Sequence, residues 1–366
     1  MLNYKTNSTE MKNHSKNQLK VAVIGYKLAE GGLERVFGTT SKMLHEAGIE
    51  VHTIVLEDKI QFEFAGKLVS FGKYSKFIKY LKLRSYLKKQ QFDYIIDFRH
   101  RINPKMECVF LHFIYRNIKT IYTIHSSKLE NYLTDNKWIA RLILQKVYKV
   151  VAVSNGIKQK IANEFKNNTV EVIPNSFELK KFSNLEKLPF EYIIAVGRLV
   201  QLKQFDKLIE SYSKSHLPQK NIHLVILGTG EEQVNLEKNI SDLNLQSLIH
   251  LLGYKENVYD YISNAKFLVL TSLYEGFSMV ILEALSLGIP VVSFDCEHGP
   301  RELVQNNSNG ILVENQDFGE LTSKLDIFVE DEIFYQNCKN NTISSVAKFQ
   351  SSVIVNQWLQ ILKNGN

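Results

Sequence analysis

Cysteine is scarce in this chain: Cys108, Cys296 and Cys338 are the only three in 366 residues, odd in number and far apart. That excludes a disulfide framework and a four-thiolate zinc site, and it suits a reducing compartment. No apolar run approaches the roughly 18–20 residues that a membrane-spanning helix requires. Residues 1–20 lack the apolar centre of a signal peptide and read as a polar tail, so a soluble, cytoplasmic chain is expected. No short-period repeat is present, and no low-complexity segment beyond that tail. Two motifs are missing as well. Without Gly-x-Gly-x-x-Gly, a dinucleotide-dependent dehydrogenase is disfavoured. Without Asp-x-Asp, the chain lacks a loop of the kind that sets a divalent metal on a diphosphate, so neither a metal nor another cofactor is expected.

What remains is an ordinary globular composition. Hydrophobic residues make up 44% and charged residues 23%, enough for a sizeable core. The length allows two domains of about 100–200 residues each. The net charge is +7, from 45 Lys+Arg against 38 Asp+Glu. Residues 66–105 alone hold 11 Lys/Arg and 2 Asp, net +9, so the rest of the chain is slightly acidic. A basic balance by itself suits nucleic acid, a membrane surface or phosphorylated small molecules.

Along the chain, short β-rich runs alternate with helical patterns. Residues 19–25 (LKVAVIG) read as a buried strand, and 32–47 as a helix stopped by Gly48. Strands follow at 50–56, 92–98, 119–125, 150–154 and 170–174, with a helix over 74–91. A second series begins near Glu191, with strands at 192–197, 223–228, 248–253, 267–271, 289–294 and 310–313. Helices are expected between them at 205–216, 232–243, 258–264, 279–287 and 300–304. Strands rich in Val, Ile and Leu that alternate with helices imply parallel sheets covered on both faces. The fold class expected is α/β, two doubly wound domains with a ligand cleft between them.

The strongest chemical signal is 271–284, TSLYEGFSMVILEA, which follows a buried strand and opens a helix. Glu275 lies in the loop and Glu283 inside the helix. The amides of Gly276, Phe277 and Ser278 face the open helix end, where unpaired N–H groups and the dipole favour an anion. The two carboxylates can accept hydrogen bonds from hydroxyls flanking a bound phosphate. The plainer alternative is a solvated helix residue and a loop charge. Arg198 and Lys203 follow the first strand of the second series, placed to hold a diphosphate as fork and point charge. Such loop cations are also commonly just solvated. His125 ends a strand, where an isolated histidine is most often structural. Gly31 and Gly32, in EGGLER at 30–35, either let backbone approach a ligand or only make the turn.

These motifs, in this order, resemble the retaining GT-B glycosyltransferases of glycosyltransferase family 4, which include many bacterial capsule, O-antigen and lipopolysaccharide enzymes. The resemblance runs from about Leu19 to the C-terminus. It implies that Glu283 binds the nucleotide ribose, that Glu275 contacts donor-sugar hydroxyls, and that the 276–280 backbone cradles sugar and distal phosphate. Arg198 and Lys203 would grip the diphosphate and stabilise the leaving nucleoside diphosphate. Gln204 departs from the family pattern, where a glycine is usual. Gly31 and Gly32 would face the donor, with Arg35 a weaker candidate, and His125 would stand near the reacting centre. Gly228, in GTGE at 228–231, would lie at the nucleotide edge, and Gly253 and Tyr254 follow the next strand, where family members use backbone to hold the base. The GPRE turn at 299–302 also matches, with no role assigned.

The implied domains are a tail (1–18), an acceptor-side domain (19–176), a linker (177–190), a nucleotide-sugar domain (191–345) and a C-terminal helix (346–366) that crosses back. In the basic stretch 67–89, Phe77, Ile78, Leu81 and Leu87 interleave with lysines including Lys76, Lys79 and Lys82. That pattern fits either an anionic membrane surface or a solvated helix face. The expected partners are a nucleotide-sugar donor, UDP by family frequency, a glycan or lipid-linked saccharide acceptor, and an anionic membrane, with no nucleic acid. Rival readings are an epimerase or hydrolase of the same fold, a dehydrogenase, and a nonenzymatic sugar-nucleotide-binding module.

Overall fold

Runs of Val, Ile and Leu too short for helices and apolar on both faces become buried parallel strands. The computed structural model describes residues 18–166, 169–178 and 187–364. The polar tail, apart from its last residue, and residues 179–186 of the expected linker lie outside the described residues.

The first sheet contains β1 (Lys20–Gly25), β2 (Glu50–Val55), β3 (Lys67–Ser70), β4 (Tyr94–Asp97), β5 (Lys119–Ile124), β6 (Lys149–Ala152) and β7 (Val170–Val172), in the order β3-β2-β1-β4-β5-β6-β7. Its helices are α1 (Gly32–Glu46), α2 (Lys76–Gln90), α3 (Pro104–Val109), α4 (Glu130–Leu133), α5 (Lys137–Lys146) and α6 (Asn155–Phe165), with a π-helical turn at Phe110–Ile114. The second sheet contains β8 (Tyr192–Val196), β9 (His223–Leu227), β10 (Ile249–Leu251), β11 (Leu268–Leu270), β12 (Val291–Phe294) and β13 (Gly310–Val313), in the order β10-β9-β8-β11-β12-β13. Around it run α7 (Phe205–Lys214), α8 (Gln233–Asp242), α9 (Val258–Ser263), α10 (Met279–Ser286), α11 (Pro300–Leu303), α12 (Phe318–Glu330) and α13 (Glu332–Val346), followed by α14 (Ser351–Lys363). Both sheets are doubly wound, and the architecture is two Rossmann-like parallel sheets, as expected.

The chain divides into two compact units. One holds the chain up to Arg99, Lys105–Tyr122 and Lys146–Tyr148; the other holds His100–Pro104, Thr123–Gln145 and everything from Lys149 onward. The core of the second includes Ile193, Leu208, Leu224, Phe267, Phe294, Leu321 and Phe328, all fully buried. Burying each such side chain contributes about 1.5–3 kcal/mol. In the first unit Arg99 is buried against Asp97 (2.6 Å) and Glu107 (3.3 Å), with its guanidinium over the Phe110 ring. A charge there is tolerable only because both carboxylates pair with it.

Two expectations needed correction. β3 is a strand inside the stretch read as basic and helical; it is half-exposed, so no buried apolar run marks it. The helix after it starts at Lys76 rather than 74, and it is anchored by Leu83 and Leu87 while Phe77, Ile78 and Leu81 face outward.

Candidate functional site

In a doubly wound sheet the strand order reverses where the first strand's neighbours lead away in opposite directions, and loops at the carboxyl ends there border a ligand crevice. In the second sheet that point lies between β8 and β11. The loop after β8 carries Gly197, Arg198 and Lys203; the loop after β11 carries Ser272, Glu275 and Gly276.

Backbone hydrogen bonds join the two loops. Leu273 donates its amide to the Leu202 carbonyl at 2.9 Å, and the Thr271 hydroxyl donates to the Lys203 carbonyl at 2.8 Å. Lys203 ends a short turn, and its ammonium donates to Glu275 Oε1 at 2.7 Å and to Ser272 Oγ at 3.3 Å. The next residue, Gln204, has φ 49° and ψ 41°, the left-handed region. Glycine would occupy it without strain, whereas a residue with a Cβ is disfavoured by about 1–2 kcal/mol. Here the Gln204 side chain hydrogen-bonds that of Gln316 at 2.9 Å, which fixes the departure from the family pattern in place.

Glu275 is held by its backbone too, since its amide donates to the Glu297 carbonyl at 3.3 Å. Gly276 must be glycine, because a Cβ would collide with the His125 carbonyl. Phe277 is buried edge-on to Phe349, and Ser278 is the buried N-cap of α10. Its hydroxyl does not cap the helix, so the first turn of α10 is left to other acceptors. One turn deeper, Glu283 is only 5% exposed and accepts a hydrogen bond from the Tyr259 hydroxyl at 3.2 Å. Glu275, the Gly276–Ser278 backbone and Glu283 thus lie along one loop and the helix it opens, and Lys203 reaches Glu275 from the neighbouring loop. Arg198, in the loop after β8, is exposed.

His125 follows β5 and is partly exposed, but both its ring nitrogens are buried; desolvation, then the charges of Arg101 and His100, lower its pKa to about 3 against the pull of Asn175. It is therefore neutral at pH 7. Arg101 was missed by sequence reasoning. It is buried, and it donates to the Tyr132 carbonyl at 2.9 Å and the Thr123 carbonyl at 2.7 Å. Its neighbour His100 sits 3.2 Å from the Tyr132 hydroxyl; burial, Arg101 and Arg198 lower its pKa. The only sequence signal for either was the basic run after a strand. Tyr259 and Ser272 were missed as well, being unremarkable loop and helix residues.

Other residues stand elsewhere. Gly228 follows β9 with φ 141°, and Tyr254 is 57% exposed just after β10. Gly31 and Gly32, in the first unit, are the extended N-cap and first residue of α1, and Arg35 lies over the Phe62 ring. On α2, Lys76 and Lys82 are exposed, whereas Lys79 donates to the Leu56 carbonyl at 2.6 Å. In the GPRE turn, Arg301 pairs with Asp295. Among the described residues no group of His, Cys, Asp and Glu side chains is arranged to hold a metal, and no helix is long and apolar enough to cross a membrane.

Comparison with known proteins places this geometry. The family described as Glycosyltransferase Family 4 matches residues 30–181, and Glycosyl transferases group 1 matches 176–345. The chain is 28% identical over 369 residues to the Campylobacter jejuni N-acetylgalactosamine-N,N'-diacetylbacillosaminyl-diphospho-undecaprenol 4-alpha-N-acetylgalactosaminyltransferase, covering 94% of this chain and 99% of that protein. An uncharacterized glycosyltransferase of Haemophilus influenzae is 27% identical over 214 residues, 58% of this chain and 61% of its own length. Among solved structures, Anabaena HepE in complex with UDP superposes with a TM-score of 0.77 at 19% identity, covering 94% of this chain and all of that one (100%), a likeness of fold. The chain thus carries a match to Glycosyltransferase Family 4 in its first half and to Glycosyl transferases group 1 in its second, on a fold shared with GT-B structures.

Proposed function

We propose that the chain is a retaining glycosyltransferase that moves a hexose or N-acetylhexosamine from a UDP-sugar to a bacterial surface glycan acceptor carried on a lipid. The observation that carries the reading is the loop and helix 271–286, where buried Glu283 and the Lys203-bound Glu275 flank the N-terminus of α10. Glu283 suits a ribose hydroxyl pair, and Glu275 suits the donor sugar. Arg198, Lys203 and the α10 N-terminus supply charge for a departing diphosphate. Support for the nucleotide and acceptor comes from the names of the relatives: the HepE complex contains UDP, and the Campylobacter enzyme is named for a diphospho-undecaprenol substrate.

In the step proposed, the bond from the anomeric carbon to the leaving phosphate oxygen breaks on the same face at which the acceptor oxygen bonds. The acceptor proton passes to the leaving phosphate. Neutral His125 is in no state to donate a second proton and serves by position. The cations already present make a divalent metal unnecessary in this reading. The exposed Phe77, Leu81, Lys76 and Lys82 of α2 suit attachment to an anionic membrane. Proton NMR of early product from a screened UDP-sugar tests the stereochemistry. The donor's anomeric configuration should survive; an inverted product overturns the mechanism.

A further inference from the structure

The turn 295–302 touches two things at once. On one side it supports the donor loop: the Glu297 carbonyl accepts the Glu275 amide, and Gly299, at φ 143°, lies so close that a Cβ there would come 2.9 Å from Glu275 Cβ. On the other side it grips the first turns of α6. Glu302 Oε1 accepts the Asn155 backbone amide at 2.8 Å, and Oε2 accepts the Asn155 side-chain amide at 3.3 Å. Lys160 donates to Glu297 at 3.0 Å. His298, itself left-handed at φ 53°, lies against Gly156, where a Cβ would collide with its ring.

These contacts have a physical logic. The opening amides of a helix need acceptors, and an anion there is favoured by the dipole. Ser154 caps Ile157 at 3.3 Å, which leaves the Asn155 amide to Glu302, a residue 147 positions away. The turn is thereby fixed at both edges, by glycine-thin packing under Glu275 and by a carboxylate on α6. Pro300 at the first position of α11, and the Arg301–Asp295 pair, stiffen it between those edges.

We propose that Glu302 is a positioning residue for the donor site: by fastening the 295–302 turn to the start of α6, it fixes the backbone of Glu275. The role of Glu275 rests on the donor-site reading above; the mechanical coupling does not. Hydrogen exchange on the full chain tests the coupling without any substrate. Loss of a helix cap is felt as roughly a five-fold change in local opening. Glu302→Ala should speed exchange about that much in peptides covering 155–158 and also in those covering 274–278, with the global unfolding midpoint little changed. Glu302→Gln, which keeps the acceptor, should restore most of the protection. Gly156→Ala, which displaces His298 and leaves Glu302 intact, should loosen 274–278 too, and it serves if the Glu302→Ala chain folds poorly. Faster exchange confined to 155–160, or absent in both variants, overturns the proposal. UDP titration of the same samples separates the two readings. In wild type it tests the donor site, and in Glu302→Ala the Kd should hold within about two-fold while kcat falls, since the Glu302 carboxylate is turned to Asn155 and is not among the groups proposed to hold the nucleotide. If the exchange couples as stated but wild type binds no UDP, the donor reading fails and the coupling stands.

Discussion

Replacing Glu275 by glutamine should tighten the binding of bare UDP, although the residue sits in the donor site. The reason lies in the pair it makes. The Lys203 ammonium is 2.7 Å from Glu275 Oε1, and the two side chains are only 20% and 14% exposed, so solvent screens them poorly. A diphosphate that recruits Lys203 must draw it from this carboxylate or share it. Glutamine keeps an oxygen for the ammonium but loses the charge. A hydrogen bond to a charged group contributes about 1.5–3 kcal/mol and a neutral one about 0.5–1.5, so roughly 1 kcal/mol of competition disappears. That corresponds to about five-fold in Kd. Removing a negative charge near the phosphates acts in the same direction. Turnover of the full UDP-sugar should nevertheless fall, because the sugar loses its carboxylate. Calorimetric titration with UDP at low and high salt is the assay, with Lys203→Ala as the opposite control. The affinity gain should shrink as salt rises. Equal or weaker UDP binding in a well-folded Glu275→Gln chain would mean that Lys203 does not serve the diphosphate.

Glu283→Ala should weaken UDP binding by about 1.5–3 kcal/mol, the worth of a buried charged acceptor, and unchanged affinity by calorimetry would remove Glu283 from the ribose site. Activity should persist in excess chelator; turnover abolished there and restored only by magnesium or manganese would show that Arg198 and Lys203 do not suffice. The chain should float with anionic liposomes at low salt and be released when Lys76 and Lys82 become Glu, each cation contributing about 1 kcal/mol. Binding untouched by that change would move the attachment elsewhere. For His125 the folded pKa, about 3, lies below the ordinary 6.5, so the folded state binds fewer protons. Its contribution to stability is complete above about pH 6.5 and is lost as pH falls toward 3, with a slope of up to about 1.4 kcal/mol per pH unit. Urea midpoints between pH 7 and 4 should show a shallower fall in His125→Asn; an identical slope would mean that the imidazole is not the buried proton acceptor.

The parts of the molecule legible in the sequence are those whose cause is local. A buried parallel strand needs a short apolar run, so β1, β8 and β12 were readable to within a residue or two. The helix after Ser278 follows from an apolar stripe that begins just after a turn. β3 was not readable, because an edge strand with one neighbour and a half-exposed surface has no periodicity to show. The site divides on the same line. Glu275 and Glu283 were visible as residue types at a strand–helix junction, but the partner that holds each comes from elsewhere: Lys203 lies 72 positions from Glu275, and Tyr259 lies 24 from Glu283. Arg101 is the sharpest case. In the sequence it is one more cation in a run of net charge +9 and reads as surface. In the fold it is 2% exposed, because the Thr123 carbonyl near the end of β5 and the Tyr132 carbonyl in α4 present acceptors to it from different parts of the chain. A buried guanidinium is affordable only where such carbonyls converge. The same arginine then lowers the pKa of His125, after burial itself. The charge that adds to desolvation in keeping His125 neutral thus comes from a residue whose burial no local pattern encodes.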